Sequence, residues 1–325
     1  MPQLCGSLPP TIARSLAVLA RRALAPLFPC KESLCILPQT LDPGGMMRFY
    51  LTLFLLAATP ALSQPLPLRI VTYNLRYDNP ADGPNAWPHR IDRIAAFVRF
   101  YEPEVMGVQE ALRSMLDSLQ TRLPGYHWVG VGRADGRNAG EFSAIFYRTD
   151  RLELLKTHTF WLSPNPEVPG SKGWDAAFER ICTWALFRDR QNSQEFFVFN
   201  THFDHVGVQA RLESARLLHH VIAQNARTAP VMLIGDFNTT EDTPPYQVLT
   251  SDGLLYDALY RAEHGHYGPR TTWNGFKALE PGQRIDFIFV TENIRVLRHA
   301  ILVDLDEAGR FASDHLPVVA DVLLP

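Results

Sequence analysis

The sequence predicts an α/β fold in which two packed β-sheets are covered by helices, and two patterns carry that prediction. Strand-like segments at about 126–131, 142–148, 152–161, 181–188 and 196–200 follow one another with little helix between them. That succession calls for hairpins and not for a simple alternating doubly wound sheet. Amphipathic stretches surround it. Ile91, Ile94, Ala95, Val98 and Phe100 suggest a helix after Pro88, and Leu112, Met115, Leu116 and Leu119 a second. Leu212, Ala215, Leu217, Leu218, Val221 and Ile222 make a third helix before the strand that ends in Asp236. The segment from Ser163 to Glu179, with Pro164, Pro166, Pro169, Gly170 and Gly173, reads as a long loop, and such loops in a compact domain are usually functional.

The ends of the apolar runs hold the chemistry. Ile70-Val71-Thr72-Tyr73 runs into Asn74, Val105-Met106-Gly107-Val108 into Gln109-Glu110, and Phe196-Phe197-Val198-Phe199 into Asn200-Thr201-His202-Phe203-Asp204-His205. Val231-Met232-Leu233-Ile234 leads into Gly235-Asp236-Phe237-Asn238, Asp286 opens Phe287-Ile288-Phe289, and Ser313-Asp314-His315 precedes Leu316-Pro317-Val318-Val319. One strand ending in Asp is an ordinary turn or cap. Six ends carrying Asn, Glu, Asp and His are different, because strands of one sheet bring their ends together along a common edge. An acidic, oxygen-rich pocket is expected there.

Composition narrows what such a pocket can hold. The 325 residues are 46% hydrophobic, ample for a packed core. Met46-Met47-Arg48, the apolar run Leu51-Thr52-Leu53-Phe54-Leu55-Leu56-Ala57-Ala58 and the small residues Ala61-Leu62-Ser63 stand in the order of a secretory signal peptide. Residues 1–45, with Cys5, Cys30, Cys35 and several prolines, resemble neither signal nor domain. They read as a non-native or disordered leader, with translation starting at Met46 or Met47. The expected organisation is therefore a leader over 1–45, a signal peptide over 46–63 and one domain over 66–325, secreted or periplasmic. Past residue 63 only Cys182 remains, so the mature chain forms no internal disulfide. Removing residues 1–63 takes away five basic and two acidic residues and leaves 26 basic against 32 acidic, a formal charge of -6. No Lys/Arg run exists to hold a long polyanion, which weakens extended duplex as substrate.

Asn74, Glu110, Asp236, Asn238, Asp286 and Asp314 offer hard oxygen ligands of the kind that select Mg2+ or Mn2+ over zinc. His202 and His315 sit among these acids, and a carboxylate bonded to each would fix its tautomer. In the motifs Tyr73-Asn74-Leu75-Arg76, Gln109-Glu110, Asn200-Thr201-His202, Gly235-Asp236-Phe237-Asn238, Arg284-Ile285-Asp286-Phe287 and Ser313-Asp314-His315, taken in this order, the chain resembles the endonuclease/exonuclease/phosphatase superfamily. The resemblance covers about residues 67–324 and implies a deoxyribonuclease-like, four-layer sandwich of two mixed β-sheets flanked by helices.

The resemblance also implies roles. Glu110 would be the principal metal ligand, with Asn74 and Asp314 beside it. Asp236 would orient or deprotonate the attacking water, Asn238 would hold the phosphate, and His315 would contact it with Asp286 in support. His202 would pair with Glu141, which lies in Gly140-Glu141-Phe142-Ser143. Arg180 matches an arginine that meets phosphate in several members, and Trp174 and His205 are further substrate candidates. Selectivity is expected from three loops: Asp78 through Trp87, Arg133 through Asn138, and Pro169 through Asp175. The predicted activity is metal-dependent hydrolysis of a phosphodiester or phosphomonoester on a small or short-chain substrate, by a monomer with no stable membrane partner. A nonspecific nuclease acting on DNA or RNA, and a non-catalytic binding module, are the alternatives. The presence of Glu110, Asp236 and His315 together speaks against the binding module.

Overall fold

Strand periodicity decides what each run contributes. The computed structural model describes residues 66–325; the leader and signal segments expected over 1–63 lie outside the described residues. The first sheet contains β1 (Leu68–Asn74), β2 (Val105–Ala111), β3 (Tyr126–Val129), β4 (Phe142–Arg148), β10 (His266–Tyr267), β12 (Arg295–Ile301) and β13 (Val318–Leu323), in the order β10-β12-β13-β1-β2-β4-β3. The second contains β5 (Leu152–Trp161), β6 (Ile181–Asp189), β7 (Glu195–His202), β8 (Val231–Asp236), β9 (Leu255–Asp257) and β11 (Asp286–Thr291), in the order β5-β6-β7-β8-β11-β9. Both sheets are mixed: β1 runs parallel to β2 and β7 parallel to β8, whereas β5, β6 and β7 form the expected antiparallel run.

Successive side chains of a strand point to opposite faces. In β1, Leu68 and Ile70 face the other sheet while Val71 and Tyr73 face outward. Outward residues of the first sheet pack under α1 (Ile91–Tyr101) and α2 (Arg113–Arg122), through Ile94, Ala95, Val98, Met115, Leu116 and Leu119. Those of the second, among them Phe199, Leu233 and Phe287, pack under α3 (Val208–Asn225) and α4 (Pro244–Thr250). A short helix, α5 (Ala258–Arg261), completes the set. The layers are helix, sheet, sheet, helix, the four-layer sandwich that the resemblance implied.

Between the sheets the inward residues change character along each strand. Leu68 and Ile70 give way to Thr72 and Asn74, Val198 to Asn200 and His202, Ile234 to Asp236, and Ile288, traced backward, to Asp286. The inner layer is thus apolar at one end and polar at the other. The sheets approach closely at Gly107 of β2, where a Cβ would lie 2.6 Å from Ile234 Cδ1 and 2.8 Å from Asn200 Cγ of the opposite sheet. Gly107→Ala should therefore push the sheets apart and destabilise the protein by about 1–3 kcal/mol, the usual cost of overpacking. Urea unfolding curves of the two proteins check this, and equal midpoints would refute it.

Candidate active site

Register along the second sheet sets three site residues side by side: His202 of β7 stands opposite Asp236 of β8, which stands opposite Asp286 of β11. Gly235 makes the parallel pairing possible. Its φ is +151°, and a Cβ there would lie 2.2 Å from the Thr201 carbonyl oxygen. In the first sheet Asn74 pairs with Gln109, and the next residue, Glu110, would ordinarily face outward. Instead its φ is +61° and the β2–β4 register slips between Val108 and Ala111. This bulge turns Glu110 toward the cavity, at the cost of a strained backbone.

The acids and amides interlock. Asn74 Nδ2 donates to Glu110 Oε1 at 3.0 Å and to Asp236 Oδ2 at 2.9 Å, joining a carboxylate of each sheet. Glu110 Oε2 accepts from the Tyr77 backbone N–H at 3.1 Å. Asn238, at φ +46°, donates its backbone N–H to Asp236 Oδ1 at 2.9 Å and its amide to the Phe203 carbonyl at 3.0 Å. His315 Nδ1 lies 2.9 Å from Asp286 Oδ2, leaving Nε2 3.7 Å from Asp236 Oδ2. Together these residues floor a cavity of about 470 Å³.

Burial divides the two histidines. It would by itself strip the proton from His315, but the carboxylates of Asp286 and Asp236 hold that imidazole well above its ordinary value, so it is a cation. His202 is held well below its ordinary value by burial, reinforced by Arg180 and Arg133, and is neutral. Its Nε2 lies 3.5 Å from Asp236 Oδ2. Asp236 is pushed up to about 7 by burial and by Asp286, against the pull of His315. The result is a base poised near neutrality beside a fixed cation.

Most of the residues singled out from sequence come together. Glu110, Glu141, Arg180, His202, His205, Asp236, Asn238, Asp314 and His315 line the cavity, and Asn74 and Asp286 stand behind it as their partners. Two expectations change in detail. Glu141 Oε2 takes its short contact from Arg133 Nη1, at 2.7 Å, and stands 4.0 Å from His202 Nδ1, too far for a hydrogen bond. Trp174 is not among the cavity-lining residues, and its loop does not hang free to close over a ligand: Asp175 accepts from the Gln209 and Ala210 backbone N–H groups and so caps α3. The aromatic that this loop presents to the cavity is Phe178.

Arg76, Tyr77, Phe178 and Trp273 complete the lining without having been assigned a role from sequence, together with Arg133, which opens one of the three loops expected to set selectivity. Arg76 closes the Tyr73-Asn74-Leu75-Arg76 motif and Arg133 opens a Gly-rich turn before Glu141; their place in or near these motifs was the available signal. Arg180 is 5% exposed, contacts Asp204 at 3.3 Å and His205 Nδ1 at 3.0 Å, and its Nη1 has no partner among the described residues. Asp204 serves this geometry. Burial would raise its pKa, yet the N–H groups of Gly207, Ala177, Val206 and Phe178 keep it well below the usual range, a fixed anion beneath Arg180.

The donor set fits a divalent cation. Glu110, Asp236 and Asp314 supply hard oxygens: burial raises the Asp314 pKa against the pull of His315, with Glu110 adding to the rise, and Arg76 stands 3.8 Å from Asp314 and 4.0 Å from Glu110. Asp236, Asp286 and His315 form a tighter group, with ligand atoms within 4.8 Å. His315 is spent on Asp286 and positively charged, so that group is the poorer site. In Asn74 the amide nitrogen faces the carboxylates, and the oxygen a cation would need accepts from the Arg76 backbone N–H at 2.9 Å.

A hydrolase of phosphoric esters is what this fold and site define. The sequence pattern of the Endonuclease/Exonuclease/phosphatase family matches residues 71–315, and the chain belongs to that family, whose enzymes generally use divalent metals. A structure of an endonuclease/exonuclease/phosphatase from Bacteroides vulgatus superposes with a TM-score of 0.77 at 40% identity, over 80% of this chain and 99% of that one. A mannosyl-6-phosphatase from Bacteroides thetaiotaomicron superposes with a TM-score of 0.75 at 37% identity, over 79% and 100%. Nocturnin of Drosophila melanogaster is 26% identical over 283 residues, 74% of this chain and 42% of that protein. An uncharacterized protein of Acanthamoeba polyphaga mimivirus is 28% identical over 181 residues, 53% and 63% respectively. The chain thus spans less than two thirds of the length of either of these last two.

Asp286→Asn should remove the anion that keeps His315 charged and oriented, lowering kcat by about 10²–10⁴-fold with little change in KM. Steady-state kinetics check it. An unchanged kcat would separate Asp286 from catalysis.

Proposed function

We propose that this protein is a Mg2+- or Mn2+-dependent hydrolase of small phosphate esters, sugar-linked or short-chain, acting outside the cytoplasm. The observation that carries the reading is the buried Arg180 Nη1, without a partner among the described residues, in a cavity of about 470 Å³ that Arg76 and Arg133 also line. A guanidinium so placed awaits a compact anion with more than one oxygen, and phosphate matches its planar fork. The mature charge of -6 and the lack of any basic run support a short ligand over a long duplex. Likeness to a mannosyl-6-phosphatase at 37% identity supports a sugar phosphate.

Glu110 and Asp314 would hold the cation, with Asn74 orienting Glu110 through its amide nitrogen. A divalent ion bound there supplies charge neutralisation at the phosphate oxygens. The chain's own groups supply the rest. Asp236 accepts the proton of the attacking water as its oxygen bonds to phosphorus and the P–O bond to the alcohol breaks, the departing oxygen taking its proton from solvent. Cationic His315 donates a hydrogen bond from Nε2 to a phosphoryl oxygen, and Arg180 fixes the phosphate against rotation. Asn238 holds the carboxylate of Asp236 in line through its backbone N–H. Export is part of the proposal. Arg48, the Leu-rich run and Ala61-Leu62-Ser63 support cleavage near residue 63.

A panel of mannose 6-phosphate, other sugar phosphates, bis(p-nitrophenyl) phosphate, short oligonucleotides and plasmid DNA, each with Mg2+, Mn2+ or EDTA, tests the activity. Turnover should concentrate on small esters and vanish in EDTA. Plasmid nicking far above every small ester, or full activity in excess EDTA, would overturn the proposal. Glu110→Gln should weaken Mn2+ binding in a calorimetric titration and cut turnover at least about 10²-fold, as loss of a primary ligand or its supporting shell does. N-terminal sequencing of the exported protein should find its start near residue 63.

A further inference from the structure

Arg133 and Arg180 are the two ends of one laminated unit. The Arg133 guanidinium lies over the Phe178 ring, 5.2 Å from its centroid. Phe178 stacks on His205, with ring centroids 5.9 Å apart and planes 17° from parallel, and His205 Nδ1 meets Arg180 Nη2 at 3.0 Å. Arg133 is further fixed through its backbone: its N–H donates to the Glu141 carbonyl at 3.0 Å and its carbonyl accepts from Trp161 Nε1 at 2.7 Å. Of its guanidinium nitrogens only Nη1 has a protein acceptor among the described residues, Glu141 at 2.7 Å. Arg133 therefore faces the cavity with donors unspent, and its position is set before any ligand arrives.

From this geometry we propose that Arg133 is a phosphate-binding residue that selects monoester dianions over diesters. The inference rests on the function proposed above and specifies its substrate class. A monoester presents three terminal oxygens and close to two negative charges at neutral pH, whereas a diester presents two oxygens and one charge. Hydrolysis needs His315 and Arg180 for either ester. A second fork is satisfied only by the third oxygen, and in a diester that position carries a carbon substituent, which Arg133 and the Phe178 stack would meet as a wall. The core chemistry is thus indifferent to ester class, and the loop that bears Arg133 decides it.

Arg133→Met and Arg133→Lys test this, with mannose 6-phosphate as monoester, bis(p-nitrophenyl) phosphate as diester and inorganic phosphate as inhibitor. In Arg133→Met, kcat/KM for the monoester should fall about 10–100-fold, mainly through KM, the range for losing a hydrogen-bonded charge. Inhibition by inorganic phosphate should weaken in proportion, the diester should change less than about threefold, and Arg133→Lys should recover part of the loss. Equal losses on both esters, or unchanged phosphate inhibition, would overturn the proposal. Should Arg133→Met fold poorly, Phe178→Leu, which removes the stack and leaves both arginines, must shift the same ester ratio in the same direction. If the unaltered enzyme cleaves neither ester, the parent function fails; if it cleaves the diester and no monoester, the selection assigned to Arg133 fails and the parent function stands. If it cleaves the monoester and the ratio stays fixed in the variants, only the role of Arg133 fails.

Discussion

The polar end of the inner layer holds together because amides bridge the two sheets. Asn200 of β7, fully buried, donates to the carbonyls of Val108 and Ala144 in the opposite sheet at 3.0 and 2.8 Å and accepts from Gln109 at 2.6 Å. Asn74 crosses the other way to Asp236. An unpaired amide in such a place would cost about 1–3 kcal/mol, so these groups are committed to one arrangement of the sheets. Everything above them inherits that arrangement: Glu110 is aimed by Asn74, Asp236 is pinned between Asn74 and Asn238, and His315 hangs on Asp286 beside them. Ser313 ties the last loop in by donating to the Asn74 carbonyl at 2.7 Å.

From that rigid floor the charge states follow. Two imidazoles in one cavity would ordinarily compete for a proton, yet here each has a fixed assignment. His315 is held protonated by two carboxylates of the second sheet against the effect of burial, while His202 loses its proton to burial, with Arg180 and Arg133 adding to the effect. Glu141 Oε2 is 2.7 Å from Arg133 Nη1 and 4.0 Å from His202 Nδ1, so its close partner is the guanidinium. A carboxylate satisfied by arginine has little reason to charge a neighbouring histidine. Asp236 lies within reach of both imidazoles, with its own proton balanced near neutrality.

How much of this could be read from the chain depends on whether a residue's role is local. The strands of the middle segment stand where their apolar runs placed them, β4 and β5 over the same residues, because a run of Phe, Ile and Val between turn signals has few other uses. The site acids were legible for the same reason, each closing an apolar strand. What was not legible depends on contacts across the fold. Nothing local to Arg133 says that it takes Glu141 from His202, and nothing in the Trp174 segment says that Asp175 ties that loop to the start of α3, leaving Phe178 to face the ligand. The short strands β9 and β10 and the helix α5 likewise owe their form to neighbours and carry no periodicity of their own.

Gly107 gives the molecule a further property. Since the two sheets meet there without room for a methyl group, neither can slide or hinge against the other while the native packing lasts. Ligand exchange is therefore confined to the mouth of the cavity, and adaptation is confined there too. The stretches 134–140 and 164–174, which lie between the residues that anchor Arg133, Asp175 and Phe178, can be rewritten in chemistry while the groups that hold Asp204 and Arg180 stay in place. For an engineer the domain is a fixed chassis with an exchangeable rim, and a library aimed at new esters should leave the strands alone and vary only that rim.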